Sequence, residues 1–292
     1  MKNKFLEKFL NKTAELDMSL FDSNVIKVDF KTKKEILKAN NRKRSGKNNP
    51  DKTMVNEEGN IIDIKDLNKY YISGGNSTQV LTNLNLSIKK GEFVVLFGKS
   101  GSGKTTLLNL ISGLDRPTTG NLIVCDKNLP FLSNNQLTTF RRDNLSFIFQ
   151  SYNLLNNLSG YDNVETGSYL QKDKNKKPDI DQMFKDFDLL DVINKYPSQM
   201  SGGQQQRISI LRALAKSSEI IFADEPTGAL DKKTGTIVMN LLRKINQELG
   251  KTIIMVSHDP DVVIYATRVI KLSKSKIISD EKIQYADEII VE

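Results

Sequence analysis

The chain has 292 residues, 38% of them hydrophobic and 27% charged, an ordinary balance for a folded protein with an ample core. Its longest apolar runs are too short to cross a bilayer, and Glu7, Lys8, Asn11 and Lys12 break the apolar residues near the start, against a secretory leader. The single cysteine, Cys125, cannot form an intrachain disulfide and suits a reducing compartment, where its plain reading is a small buried hydrophobe. The net charge of +8 suggests nucleic acid until it is located: Lys31–Lys52 holds nine Lys or Arg against Glu35 and Asp51, so the rest of the chain is close to neutral.

Residues 1–60 read as a basic, partly disordered extension. Phe5, Leu6, Phe9, Leu10, Leu16 and Leu20 recur at roughly helical spacing and predict a short amphipathic helix. Asn40–Lys52, rich in Asn, Lys and Arg, reads as a flexible linker. A compact domain, 61–280, follows, with a tail at 281–292. Ile61–Ile64 and Leu84–Ile88 read as strands, with Ser73–Ser77 as a Gly-rich hairpin loop. Phe93–Phe97, Ile220–Ala223 and Thr252–Val256 are continuous apolar runs, the pattern of strands buried on both faces. Helical patterns at Gln204–Lys216 and Thr234–Leu249 alternate with them, which predicts an α/β fold with a mostly parallel sheet.

Gly98-Lys-Ser-Gly-Ser-Gly-Lys-Thr105 matches G-x-x-x-x-G-K-[ST], in which small residues let backbone N–H groups converge on phosphate oxygens at a helix N-terminus. In that pattern Lys104 reaches the β- and γ-phosphates and the Thr105 hydroxyl binds Mg²⁺. A surface Gly-rich turn needs no buried strand before it and no amphipathic segment, Thr106–Ser112, after it. Ile220-Ile-Phe-Ala-Asp-Glu225 is an apolar strand ending in two carboxylates: Asp224 is placed for the Mg²⁺ shell, and Glu225 for polarising a water aimed at the γ-phosphate. Met200-Ser-Gly-Gly-Gln204 is a second small-residue turn opening a second helix, and so a second anion site. One γ-phosphate cannot use both loops of one subunit unless the fold joins them. The one histidine, His258, follows a further buried strand.

In order, these motifs resemble the nucleotide-binding subunits of ABC ATPases over about residues 61–280. Gly98–Thr105 matches the family's Walker A, Gln150 its Q-loop, Ser201–Gln204 its signature, Ile220–Glu225 its Walker B, Ala229-Leu-Asp231 its D-loop and His258 its switch histidine. The resemblance implies a P-loop NTPase of RecA-like type, a parallel-sheet core with an antiparallel β subdomain and an α-helical subdomain at about 152–200. It implies ATP and Mg²⁺ as cofactors. The nucleotide contacts it implies are Tyr71 on the base (with Tyr70 as a competitor), Gly98, Lys99, Ser100, Gly101, Ser102, Gly103, Lys104, Thr105 and Thr106. Thr105, Gln150 and Asp224 hold the metal, and Glu225, His258 and Gln150 serve catalysis. A head-to-tail homodimer follows from it, in which Ser201, Gly202, Gly203 and Gln204 serve the partner's γ-phosphate and Asp231 lies at the interface. Met200 stands where the signature usually has Leu, and Lys274-Ser275 where an Asp-Gly turn is common.

Gln204-Gln-Gln-Arg207, Ala223–Asp231 and Phe149–Leu155 are most similar to the branch serving lipoprotein release, macrolide and peptide export and cell division. In amino-acid importer ATPases a Ser usually replaces Gly228. The resemblance therefore implies an integral membrane permease as partner, contacted near Gln150 and Tyr152–Leu158, and a place on the cytoplasmic face of the membrane. The N-terminal extension offers a membrane-surface contact. An ATPase acting on nucleic acid is the rival reading from the basic stretch, disfavoured by one cassette and an ordinary interval between Lys104 and Ser201. A regulatory scaffold that signals without transport carries the same motor.

Overall fold

The computed structural model describes residues 25–27, 30–44, 49–73, 76–171, 173, 175 and 177–283. The expected amphipathic helix near Phe5–Leu20, the tip of the hairpin loop and most of the C-terminal tail lie outside these residues. In chain order the first elements are β1 (Val25–Lys27), α1 (Phe30–Asn41), a 3₁₀ turn at Pro50–Thr53, and the long hairpin β2 (Asn60–Ser73) and β3 (Asn76–Lys89). Both strands run well past the apolar stretches that announced them. They cross polar sequence because those side chains bond across the sheet: the Asn68 amide donates to Asn83 Oδ1 at 2.9 Å and to Thr119 Oγ1 at 3.1 Å. With β5 (Thr119–Val124) and β6 (Lys127–Asn128) they form a five-stranded sheet, β1-β3-β2-β5-β6, antiparallel throughout.

The second sheet has the order β11-β10-β4-β9-β8-β7, from β4 (Phe93–Phe97), β7 (Leu145–Phe149), β8 (Ile220–Asp224), β9 (Thr252–Ser257), β10 (Arg268–Ser273) and β11 (Lys276–Lys282). All pairings are parallel except the terminal β10–β11 hairpin. Its turn residues Lys274 and Ser275 sit at φ 46° and 68°, so the turn keeps its left-handed geometry without Asp-Gly. Register aligns the strand ends. Phe97 pairs with Ser257, Asp224 with Val256, and Phe149 with Asp224, so the residues that follow β4, β7, β8 and β9 emerge along one edge. In a parallel sheet that carboxyl edge is where ligands bind.

Alternate residues of β4 enter two cores. Val94 and Leu96 pack with Leu107, Leu110 and Ile111 of α2 (Lys104–Ile111) and with the antiparallel sheet. Phe93, Val95 and Phe97 pack on the other face with Val238, Met239 and Leu242 of α7 (Lys232–Leu249). Between β6 and β7 runs α3 (Asn134–Asn144), and between β7 and β8 come α4 (Gly160–Ser168), α5 (Ile180–Asp186) and α6 (Gly202–Ala215). Val164, Phe184, Val192, Met200, Ile208 and Leu211 form a third core there. Met200 is buried in it, so the Leu-to-Met departure is a packing change of similar volume.

The linker reading is corrected where the stretch is described. The Asn40 side chain bonds to β2 and to Thr118. Arg44 N donates to Pro130 O at 2.8 Å and its guanidinium lies over the Phe131 ring. Asn128 Nδ2 reaches Asp51 O at 2.7 Å. Polar Asn and Arg made this segment look solvated; here the Asn40 side chain and the Arg44 backbone tether it to the domain, while Asn41, Arg42 and Lys43 stay exposed.

Candidate active site

The phosphate loop leaves β4 at Phe97 and closes into α2 at Lys104. Gly103 caps the helix at φ 100°, and a Cβ there would lie 2.9 Å from Leu81 Cδ2 and 3.0 Å from Val80 O, so only glycine fits. Lys99, Ser100, Gly101 and Thr105 are exposed, while Gly98, Ser102, Gly103 and Lys104 are buried. Lys104 Nζ donates to the carbonyls of Gly98 at 2.7 Å and Lys99 at 2.9 Å. Burial lowers its pKa, opposed by the charges of Glu225 and Asp224. The Ser102 hydroxyl is buried with no protein partner. The first-turn N–H groups of α2 have no intrahelical acceptor, so the loop collects donors and a cation at one helix end.

Facing it, Asp224 ends β8 and Glu225 follows at φ 45°, a left-handed conformation rare for a side chain of this size. Burial raises the Asp224 pKa, as does the adjacent Glu225, against Lys104. Glu225 Oε1 lies 2.7 Å from His258 Nδ1, just beyond β9. An ionised carboxylate only accepts, so the ring must donate from Nδ1, which fixes the carboxylate's direction. Thr105, Phe149, Gln150, Ser151, Asp224, Glu225 and Ala229 line one open cleft of about 590 Å³. Gln150 rests against Gly228, where a Cβ would lie 2.9 Å from Gln150 Nε2.

The small-residue turn at 201–204 takes no part in that cleft. Ser201 Oγ accepts from Gln204 N at 3.3 Å and Gln204 Oε1 from Ser201 N at 2.9 Å, a capping box that starts α6. Gly203 lies against Thr234 of α7, and Asp231 caps that helix through Thr234 N at 3.0 Å and Thr234 Oγ1 at 2.6 Å. Those bonds to Thr234 lower the Asp231 pKa.

Of the two tyrosines, Tyr71 lies at the phosphate end. Its hydroxyl donates to Asp115 Oδ2 at 2.7 Å, and the Thr106 side chain is within bonding reach of the phenol. Burial pushes its pKa up to about 12, with Asp115 adding to the rise. Two contacts escaped sequence reasoning. Lys69, buried, lies 4.7 Å from the Tyr71 ring centroid and 2.8 Å from Asp115 Oδ1. Arg212 of α6 donates to the carbonyls of Asn153 at 2.6 Å and Tyr152 at 3.0 Å, holding the chain after Gln150 where both residues have positive φ. Strand alternation places Lys69 and Tyr71 on one face and was available as a signal; the Arg212 clamp left none.

A family model described as ABC transporter matches residues 81–228. The chain belongs to the ABC transporter family. It is 38% identical over 281 residues to an ABC transporter ATP-binding protein of Mycoplasma pneumoniae (MG065 homolog), covering 94% of this chain and 60% of that one. To the macrolide export ATP-binding/permease protein MacB of Campylobacter jejuni it is 43% identical over 217 residues, 73% of this chain and 33% of MacB. The chain thus spans less than two thirds of these relatives. The ATP-binding cassette MJ0796, solved as a post-hydrolysis dimer bound to ADP and Pi, superposes with a TM-score of 0.68 at 40% identity, covering 76% of this chain and 99% of that one. The ABC ATPase domain implies nucleotide binding, and the chain is an ATPase, with a resemblance to the macrolide-export branch. Among the described residues no helix is long and apolar enough to cross a membrane.

Proposed function

We propose that the chain is the ATP-hydrolysing subunit of an ABC transporter, one that closes head to tail with a second copy around two ATP molecules and drives a separate membrane permease of the export or mechanotransmission type. The observation that carries this reading is the separation of the two anion loops. Ser201–Gln204 do not line the cleft at Thr105, Gln150, Asp224 and Glu225, and the first-turn N–H groups of Gly202 and Gly203, which have no intrahelical acceptor, are left for a nucleotide on another subunit. The similar MJ0796 cassette, itself a dimer with ADP and Pi bound, supports such an assembly.

In this reading Gly98–Thr106, which reach the cleft at Thr105, bind and orient the phosphates and Tyr71 stacks on the base. Thr105, Gln150 and Asp224 offer a hydroxyl, an amide and a carboxylate, hard oxygen donors around one cleft, a set that fits Mg²⁺ completed by waters and phosphate oxygens. Bound there, Mg²⁺ supplies charge neutralisation on the phosphates. Glu225 takes the proton from the attacking water, and His258 holds the Glu225 carboxylate in place. Ser201, Gly202, Gly203 and Gln204 close the partner's site and Asp231 faces the interface. Gln150 leads into Tyr152–Leu158, where Leu155 is 48% exposed, and this surface supports the permease contact.

Substituting Glu225→Gln tests the core of this reading. Expected are retained ATP binding, a turnover loss of about 10²–10⁴-fold, the span of general-base catalysis, and a dimer that accumulates on gel filtration. Turnover near wild type contradicts the assignment. The permease reading is tested by purifying the chain from membranes and identifying the membrane subunit that accompanies it. The exposed Lys31, Lys34, Lys38, Arg42 and Lys43 support a contact with the anionic membrane surface at its cytoplasmic face. Full-length chain that fails to pellet with anionic liposomes at low salt contradicts that contact.

A further inference from the structure

The N-terminal extension bonds to the backbone of the strand that carries Tyr71. Asn40, at the last turn of α1, uses both ends of its amide. Its Nδ2 donates to Tyr70 O at 2.7 Å, and its Oδ1 accepts from Thr118 Oγ1 at 2.7 Å. Thr118 Oγ1 in turn accepts from Tyr70 N at 3.1 Å, which closes a ring of three residues from three segments. Tyr70 thus has both its N–H and its carbonyl bonded outward, away from β3.

Next to Tyr70 on the same strand stands the base platform. Lys69 Nζ bonds Asp115 Oδ1 at 2.8 Å and Arg116 O at 2.7 Å, and the Tyr71 hydroxyl bonds the other Asp115 oxygen. A cation over one face of the ring leaves the other face for a base, and 39% of Tyr71 stays exposed. Residues 115–118 are therefore shared: Asp115 fixes the ring and Thr118 fixes the extension. The same short segment also carries Arg116, whose Nη1 donates to Pro130 O at 3.3 Å, the carbonyl that Arg44 N of the extension uses at 2.8 Å. A platform restrained at its hydroxyl, its face and its backbone meets a base with little left to order, and preorganisation of that kind lowers the cost of binding.

We propose that Asn40 is a positioning residue for nucleotide binding: by tying α1 to Tyr70 and Thr118 it holds Tyr71 against Asp115, so the N-terminal extension sets the affinity for ATP. This rests on the reading of Tyr71 as the base contact.

Full-length Asn40→Ala, Asn40→Asp and Thr118→Val separate the two ideas when compared with Tyr71→Ala, using titration with a fluorescent ATP analogue, steady-state hydrolysis and thermal melting. Asn40→Asp keeps the acceptor for Thr118 and removes the donor to Tyr70. Expected is a rise in KM and in the analogue's Kd of about three- to tenfold for Asn40→Ala and Asn40→Asp, the scale of one or two net hydrogen bonds, with kcat unchanged. In the double variant with Tyr71→Ala, Asn40→Ala adds no further loss, because the platform it positions is gone. Three results overturn the proposal: unchanged affinity in folded Asn40 variants while Tyr71→Ala weakens binding, a fall in kcat with KM unchanged, or full additivity in the double variant. If Tyr71→Ala itself leaves affinity unchanged, the base-contact reading fails, and the positioning role falls with it.

Discussion

Two loops of this chain share a recipe and differ in what they can do alone. Gly98–Thr105 and Ser201–Gln204 are both small-residue turns that open a helix. The first has a lysine folded back into it, an unpartnered buried hydroxyl and, across a cleft, the Glu225–His258 pair. The second has its side chains engaged in its own capping box, with Gln204 Nε2 turned to Asp191 at 2.9 Å, and no carboxylate–histidine pair among its contacts. Chemistry at a phosphate needs donors, a cation and a base within hydrogen-bond reach of one point. One loop assembles most of that set. The other supplies donors alone, and so makes sense as the lid of a neighbour's site.

The contrast is broken most severely at Lys104. Lys104→Ala should cost about 10²–10³-fold in turnover, the loss typical of one electrostatic donor to the reacting group, measured by phosphate release at saturating ATP. Next comes Gly228→Ser. A side chain there meets Gln150, so turnover should fall about tenfold with ATP affinity little changed, short of the 10²-fold that a 1 Å misplacement can cost. An unchanged rate would show that Gln150 moves aside freely. Arg212→Ala should sit below that, releasing the Tyr152 and Asn153 carbonyls and weakening the tie between the Q-loop and α6; basal turnover in detergent stays close to wild type while hydrogen exchange in residues 150–155 speeds up. Smallest is the stability cost of Ser201→Ala, about 1 kcal/mol for a lost cap. A melting temperature a few degrees lower checks it.

Much of the catalytic edge was legible in sequence because its information is local. A buried strand is a run of apolar residues, and the residue just past it must surface at the sheet edge; Glu225 and His258 were placed by that logic, while Gln150 came from the family resemblance alone. The different surroundings of Tyr70 and Tyr71 were not legible without the fold, since neighbours in a strand point to opposite faces. The extent of β2 and β3 was not legible, because their outer halves rest on cross-strand amides rather than on apolar alternation. Least legible was the extension. Asn40 lies 78 residues from Thr118 in sequence, and a single Asn in a basic stretch carries no period or motif to announce a tether. Composition therefore read as a loose linker what the fold uses as a strap.

The division of labour between the two loops is tested most directly by mixing two inactive chains, one Lys104→Ala and the other Ser201→Arg. In a head-to-tail pair both lesions fall in one site, and the other site is built from an intact phosphate loop and an intact signature. Each variant alone should be inactive, and mixing them should restore ATP hydrolysis that rises with the fraction of mixed dimer. A mixture no more active than its separate components would contradict the account, because it would mean that each subunit's signature serves its own phosphate loop.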